Sequence, residues 1–158
     1  MSLLTRLAAP LALMTTLVAV TVPAADRSET RAVSGFTAIA LAAPLKVDVV
    51  QGAAEGLVLE GDERALADLE TVVEQGVLKI RTRSRNGVFG MSKVRAHVSA
   101  KAIDALRIAG SGDVMLWARE SLTVSVVGSG DVRFYGDPEL KRSVIGSGSV
   151  RRMGATPS

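Results

Sequence analysis

The sequence predicts an all-β protein, specifically a β-helix-like solenoid with 18-residue C-terminal rungs. Three observations predict it. A Gly-Ser-Gly triplet begins at Gly110, Gly128 and Gly146, in unvarying steps of 18 residues. Apolar residues alternate with polar ones on both sides of each triplet, and period two is the period of a strand. Glycines punctuate the rest of the chain at short spacing, as turns between short strands do. A fixed period over three copies is what stacked coils produce, each burying its apolar edge against the one before.

In chain order, residues 1–24 read as a cleaved signal peptide. Arg6 precedes the apolar run of residues 7–22, and Val22 and Ala24 supply the small side chains required at −3 and −1 for a cut after Ala24. The run contains Pro10 and falls short of the ~20 residues that span a bilayer, so cleavage is favoured over anchoring. No later stretch is long enough to span, and the mature chain is not membrane-spanning. Loss of Arg6 takes the net charge from +3 to +2.

Between residues 33 and 99 short strands follow one another. Phe36, Ile39 and Leu41 open one segment; Leu45, Val47 and Val49 alternate with more polar neighbours. Leu57–Leu59, Thr71–Val73, Val77–Thr82 and Val94–Val98 continue the pattern. The only predicted helical turn begins at Asp62, an N-cap residue ahead of Glu63-Arg64-Ala65-Leu66. Residues 84–92 are expected to form the most mobile loop.

In the repeats, Ile108, Val126 and Val144 share one position, and Val114, Val132 and Val150 another. The structural corners are Gly110, Gly112, Gly128, Gly130, Gly146 and Gly148, where a missing Cβ permits positive φ and close approach of stacked backbones. Ser111, Ser129 and Ser147 are expected to bond locally to the turn. The third copy departs from the pattern: Arg142 stands where Leu106 and Val124 stand, Arg152 where Leu116 and Phe134 stand, and Ser149 where Asp113 and Asp131 stand. Such charge suits an exposed terminal copy that must resist edge-to-edge association.

Composition narrows function. With no cysteine, disulfides, thiolate metal sites, a cysteine nucleophile and a lipid-modified cysteine are excluded; one histidine excludes a multi-histidine metal centre. The mildly basic balance does not suggest a nucleic-acid binder, and no cofactor motif is present. The Gly-Ser-Gly corners lack the Lys-Ser/Thr ending of a phosphate loop.

Taken together, RAVSGFTAIAL, LKVDVVQG, LEGDERALADLETVVEQGVLKIRT and the three GSG segments resemble the DUF2807 family, "putative auto-transporter adhesin, head GIN domain". The resemblance covers residues 31–154 as a single domain. It implies a β-helix-like domain of exported proteins, in the periplasm or outside the cell, and it identifies neither a ligand nor catalytic residues. Without a lipoprotein cysteine, a soluble periplasmic location is expected over outer-membrane anchoring.

Two candidate surfaces stand out. Lys79, Arg81 and Arg83, with Lys93, Arg95 and His97, would form one cationic face if their strands were neighbours, attracting an acidic glycan, lipopolysaccharide or another envelope component. The plainer reading is a solvated strand face. Trp117 and Tyr135 occupy one repeat position, with Met153 next in the column. Alternation puts Leu116 and Phe134 inside and the aromatic pair outside, where it can stack on sugar rings. Asp113 and Asp131 would stack about 5 Å apart. Calcium needs more oxygen ligands than one Gly-Asp per 18 residues supplies, so each aspartate is expected to bond its own turn. His97 reads as a surface histidine. The function expected is a non-catalytic, adhesin-like binding or structural role in the cell envelope. The alternatives are a lyase-like enzyme acting on a polysaccharide and an anion-binding module.

Overall fold

The computed structural model describes residues 26–86 and 90–156. The predicted signal peptide lies outside them, as do residues 87–89 of the predicted loop. In chain order the elements are β1 (Arg27–Arg31), β2 (Ala38–Ala42), β3 (Lys46–Gln51), β4 (Gly56–Gly61), α1 (Glu63–Asp68), β5 (Leu69–Glu74) and β6 (Val77–Thr82). They continue with β7 (Arg95–Ala100), β8 (Ala105–Gly110), β9 (Asp113–Trp117), β10 (Ser121–Gly128), β11 (Asp131–Tyr135), β12 (Glu139–Gly146) and β13 (Ser149–Gly154). A single 3₁₀ turn, Met91–Lys93, precedes β7.

All-β is what the sequence predicts, but the β-helix-like solenoid is corrected. The strands form two open, mixed sheets facing each other in a sandwich-like arrangement. One runs β1-β4-β7-β3-β9-β11-β13 and the other β12-β10-β8-β2-β6-β5. The pairs β1/β4, β4/β7 and β5/β6 are antiparallel. Neither sheet closes on itself, and both keep free edges. The 18-residue period governs only the neighbour spacing of the last six strands. There β8, β10 and β12 pair in parallel, Leu106 beside Val124 beside Arg142, while β9, β11 and β13 do the same in the opposite sheet. A sequence period sets such local register; it does not set how the earlier strands join it.

One core lies between the sheets. Leu122, Val124 and Val126 of β10 point inward with Leu106 and Ile108 of β8 and Ile39 and Leu41 of β2; Val114, Leu116, Val132 and Phe134 meet them from the other sheet. Each such side chain taken from water contributes about 1.5–3 kcal/mol. The 18-residue spacing thus aligns like with like across neighbouring strands, which favours a narrow aliphatic interior.

The corners between sheets depend on glycine. Gly128 has φ +125°, and a Cβ on Gly130 would collide with the carbonyl oxygen of Gly112 and the side chain of Ile108. The serines bond differently from the expectation: their backbone N–H groups, not their turns, are engaged. Ser129 N–H donates to Gly110 O at 2.9 Å and Ser147 N–H to Gly128 O at 3.0 Å, tying each corner to the one before.

Asp62 caps α1 as predicted, accepting from Arg64 N–H at 2.9 Å. The other end of α1 is held by Arg31. Its guanidinium donates to Leu66 O (2.9 Å), Leu69 O (2.7 Å) and Thr71 Oγ1 (3.1 Å), while Nε donates to Glu29 (2.9 Å). A strand of one sheet is thereby fastened to the helix end and to β5 of the other. The β5/β6 hairpin turns through Gln75 and Gly76, both at positive φ, the two-residue geometry that matches strand twist.

Two substitutions, each with a control, test these contacts by urea unfolding. Gly130→Ala is expected to cost about 3 kcal/mol, because the Cβ meets backbone that has nowhere to move. Gly52→Ala, with open space at its Cβ, should change stability by less than about 0.5 kcal/mol. Arg31→Ala should cost about 2–3 kcal/mol by orphaning two carbonyls, against about 0.5 kcal/mol or less for Arg27→Ala, whose ion pair with Glu63 is exposed.

Candidate functional site

The outward positions of the seven-stranded sheet form two parallel rows. One reads Glu60, Arg95, Lys46, Asp113, Asp131 and Ser149 across β4, β7, β3, β9, β11 and β13. The next, two residues further along each strand, includes His97, Asp48, Met115, Arg133 and Arg151. Between the rows lies an open hollow of about 280 Å³ whose charged lining is Lys46, Asp48, Arg95, Asp113, Asp131 and Arg133. Cations and carboxylates both line it, so the surface offers both donors and acceptors to a polar ligand. Among the described residues there is no grouping of three or more His, Cys, Asp or Glu suited to a metal ion.

The corner aspartates bond across the stack, not to their own turns as expected. Asp113 accepts from Asp131 N–H at 3.2 Å; Asp131 accepts from Ser149 N–H at 3.0 Å and from its hydroxyl at 2.7 Å. This explains the third copy. At position 149 the serine donates both its N–H and its hydroxyl to Asp131, whereas Asp131 gives Asp113 only its N–H. The Ser149 hydroxyl holds the Asp131 carboxyl below its usual range. Partial burial opposes this, and the Ser149 N–H, Arg133 and Arg151 add to the lowering.

The predicted cationic face is not assembled. Lys79 and Arg81 lie on β6 in the six-stranded sheet, with Arg83 just beyond its end; Arg95 lies on β7 in the other sheet, and Lys93 in the 3₁₀ turn before it. β6 and β7 belong to opposite sheets, with Met91 and Val94 buried just ahead of β7, so strands adjacent in sequence face opposite ways. Lys79 is paired with Glu74 (2.5 Å) and Arg81 with Glu70 (2.8 Å) across the hairpin. Those hydrogen bonds lower both glutamate pKa values and raise that of Arg81. Lys93 and Arg95 instead border a second hollow with Asp26, Arg27 and Glu60. His97 is exposed, with ring nitrogens 3.8 Å from Asp48 and 3.5 Å from Glu60.

The aromatic pair is assembled. Trp117 and Tyr135 are register partners on β9 and β11, half-exposed on the outer face, with Leu116 and Phe134 buried beneath. The Arg119 guanidinium lies over the Trp117 ring, 4.8 Å from its centroid, a cation–π contact on one face of the indole. Met153 does not extend the column. A bulge after Phe134 places Gly154 opposite Tyr135, and with no side chain there the β13 side of the tyrosine stays uncovered. Asp131, Arg133 and Tyr135 share one face of β11, so the pair continues the charged hollow. Lys46 and Arg133 belong to this surface although sequence reasoning did not single them out. Arg133 is legible in the repeat, two residues from Tyr135; Lys46 is not, because β3 reaches β9 only through a long-range pairing.

Comparison with protein families finds a match to the model "Putative auto-transporter adhesin, head GIN domain" (DUF2807) over residues 35–114 and 105–138, more than half of the chain. Among solved structures, the chain is similar to a protein described as a "putative adhesin" from Bacteroides fragilis. Identity is 12%, TM-score 0.51, and the match covers 82% of this chain and 97% of that one. It is also similar to a "putative cell adhesion protein" from Clostridium sporogenes, with 9% identity, TM-score 0.50 and coverage of 82% and 100%. At these identities the likeness is one of fold. Comparison with curated proteins finds no match.

The Asp131–Ser149 contact makes a pH prediction. Because its folded pKa is depressed, Asp131 contributes stability in full above the unfolded value near 3.8 and loses it as pH falls through the folded value. Urea midpoints measured from about pH 6 down to about pH 2 should fall further for the wild type than for Ser149→Ala. Superimposable profiles would show that the hydroxyl does not hold the carboxylate.

Proposed function

On the premise that this chain belongs to the DUF2807 family of "Putative auto-transporter adhesin, head GIN domain" proteins, we propose that it is an exported, non-catalytic, adhesin-like domain of the cell envelope that binds a glycan. The observation that carries the ligand class is the in-register pair Trp117 and Tyr135 on the open face of β9 and β11. Parallel neighbours stand about 4.8 Å apart, so the two rings together offer an apolar platform of sugar-ring size. The aromatic bodies supply apolar area at little entropic cost, and polar groups at the rim set orientation.

Charge beside the platform is mixed: Lys46, Arg95 and Arg133 stand against Asp48, Asp113 and Asp131, so the hollow offers both donors and acceptors to the hydroxyls and acidic groups of a glycan. Arg133 lies two residues from Tyr135 on the same face, and Lys46 and Arg95 line the adjoining hollow. Asp131 already accepts from Ser149 and Asp113 from the Asp131 N–H, so both aspartates are engaged within the stack, while Arg133 beside Tyr135 is exposed. The Lys79–Arg83 segment contributes little to this reading, since two of its three cations are neutralised within the hairpin.

The test is a binding screen of the mature protein against bacterial envelope polysaccharides, repeated with the Trp117→Ala/Tyr135→Ala variant. Roughly tenfold weaker binding, about 1.4 kcal/mol, with an unchanged unfolding midpoint is expected. Equal binding by both proteins would refute the platform.

A further inference from the structure

The end of the sandwich formed by β12 carries an arrangement that the glycan reading does not use. Lys141, Arg142, Arg151 and Arg152 against Glu139 leave +3 between residues 139 and 154, the whole of the chain's net charge. The preceding residues sum to zero. Cationic character is therefore a property of the last two strands.

β12 is the free edge of the six-stranded sheet and runs eight residues. Glu139 N–H donates to Glu120 O and Ser147 N–H to Gly128 O. In a parallel pair alternate residues direct their backbone groups to the same side. The odd-numbered residues of β12 thus face β10, and Leu140, Arg142 and Val144 turn their N–H and C=O groups outward, with no strand beside them among the described residues. Such a row is a template for an added strand.

The side chains define what that strand must carry. Leu140, Arg142 and Val144 sit in register with Leu122, Val124 and Val126, all three of which face the core. A strand laid on β12 in the same register would place apolar residues beside Leu140 and Val144 and a residue between them beside Arg142. Arg142 has no carboxylate within ion-pair distance among the described residues. Covering it without a counter-charge would be costly, whereas a carboxylate turns it into an anchor. Arg152, at the edge of the facing sheet, is already engaged: it donates to Gly136 O at 2.6 Å and lies 3.5 Å from Asp137.

A second copy of the chain does not supply the carboxylate. Pairing β12 with its own equivalent sets Arg142 near Arg142. The other free edge of the same sheet, β5, directs Leu69, Thr71 and Val73 to the core side. We propose that β12 receives an extended segment of another polypeptide, with an acidic residue flanked at two positions on either side by aliphatic ones, added as a seventh strand of this sheet.

The probe is the blocked, fluorescein-labelled peptide Thr-Val-Thr-Glu-Thr-Val-Thr, titrated by anisotropy against the mature protein, beside its counterpart with Lys at the centre. Micromolar binding of the Glu peptide, at least about tenfold tighter than the Lys peptide, is expected. Arg142→Glu, at an exposed position, should invert the preference, whereas Arg151→Glu, on the outer face of β13, should preserve it. Equal affinity for both peptides, no binding of either, or no inversion in Arg142→Glu would overturn the proposal. So would Arg142-dependent binding of dodecyl phosphate without binding of the Glu peptide, which would make the end a site for anionic lipids.

Discussion

The close approach of backbone to backbone at the Gly-Ser-Gly corners is the constraint on which the rest of the repeat region depends. Where Gly130 passes Gly112, and Gly148 passes Gly130, no Cβ can be accommodated. There the chain leaves one sheet and enters the other while each strand stays one spacing from its predecessor. The serine amides then reach the carbonyls of the corner before, and the aspartates reach the amides of the corner after. The result is a column of hydrogen bonds joining the two sheets at their shared rim.

That constraint also displays the outer face. With neighbouring strands held in strict register, each repeat position becomes a row across the sheet. Trp117 and Tyr135 are side by side for the same reason that Val114 and Val132 are. The binding surface is thus a by-product of the register that packs the core. The row ends where the register slips: the bulge after Phe134 exchanges Met153 for Gly154 and opens the tyrosine.

The two ends of the sandwich are finished differently. At the first end, Arg31 binds the helix terminus and β5, and the polar β1 covers β4. At the other, the stack stops with core-facing positions in the open, and the side chains there are Arg142 and Val144 rather than two aliphatics. An arginine at a core-facing position discourages indiscriminate pairing and selects for a complementary charge at once.

Period-two alternation, positive φ at glycine and the capping chemistry of aspartate are local. They determined from sequence alone that the protein is all-β, where the corners fall, which side of β9 and β11 carries the aromatics, and that Asp62 starts a helix. Strand partnership is not local. The short polar β1 carries no apolar alternation to announce it, and nothing near residues 79–95 records that β6 and β7 enter opposite sheets, which parts two basic strands. The open two-sheet architecture likewise depends on β3 meeting β9 and β2 meeting β8. Those contacts join distant segments through backbone hydrogen bonds that any residue except proline can make, so only the tertiary structure decided them.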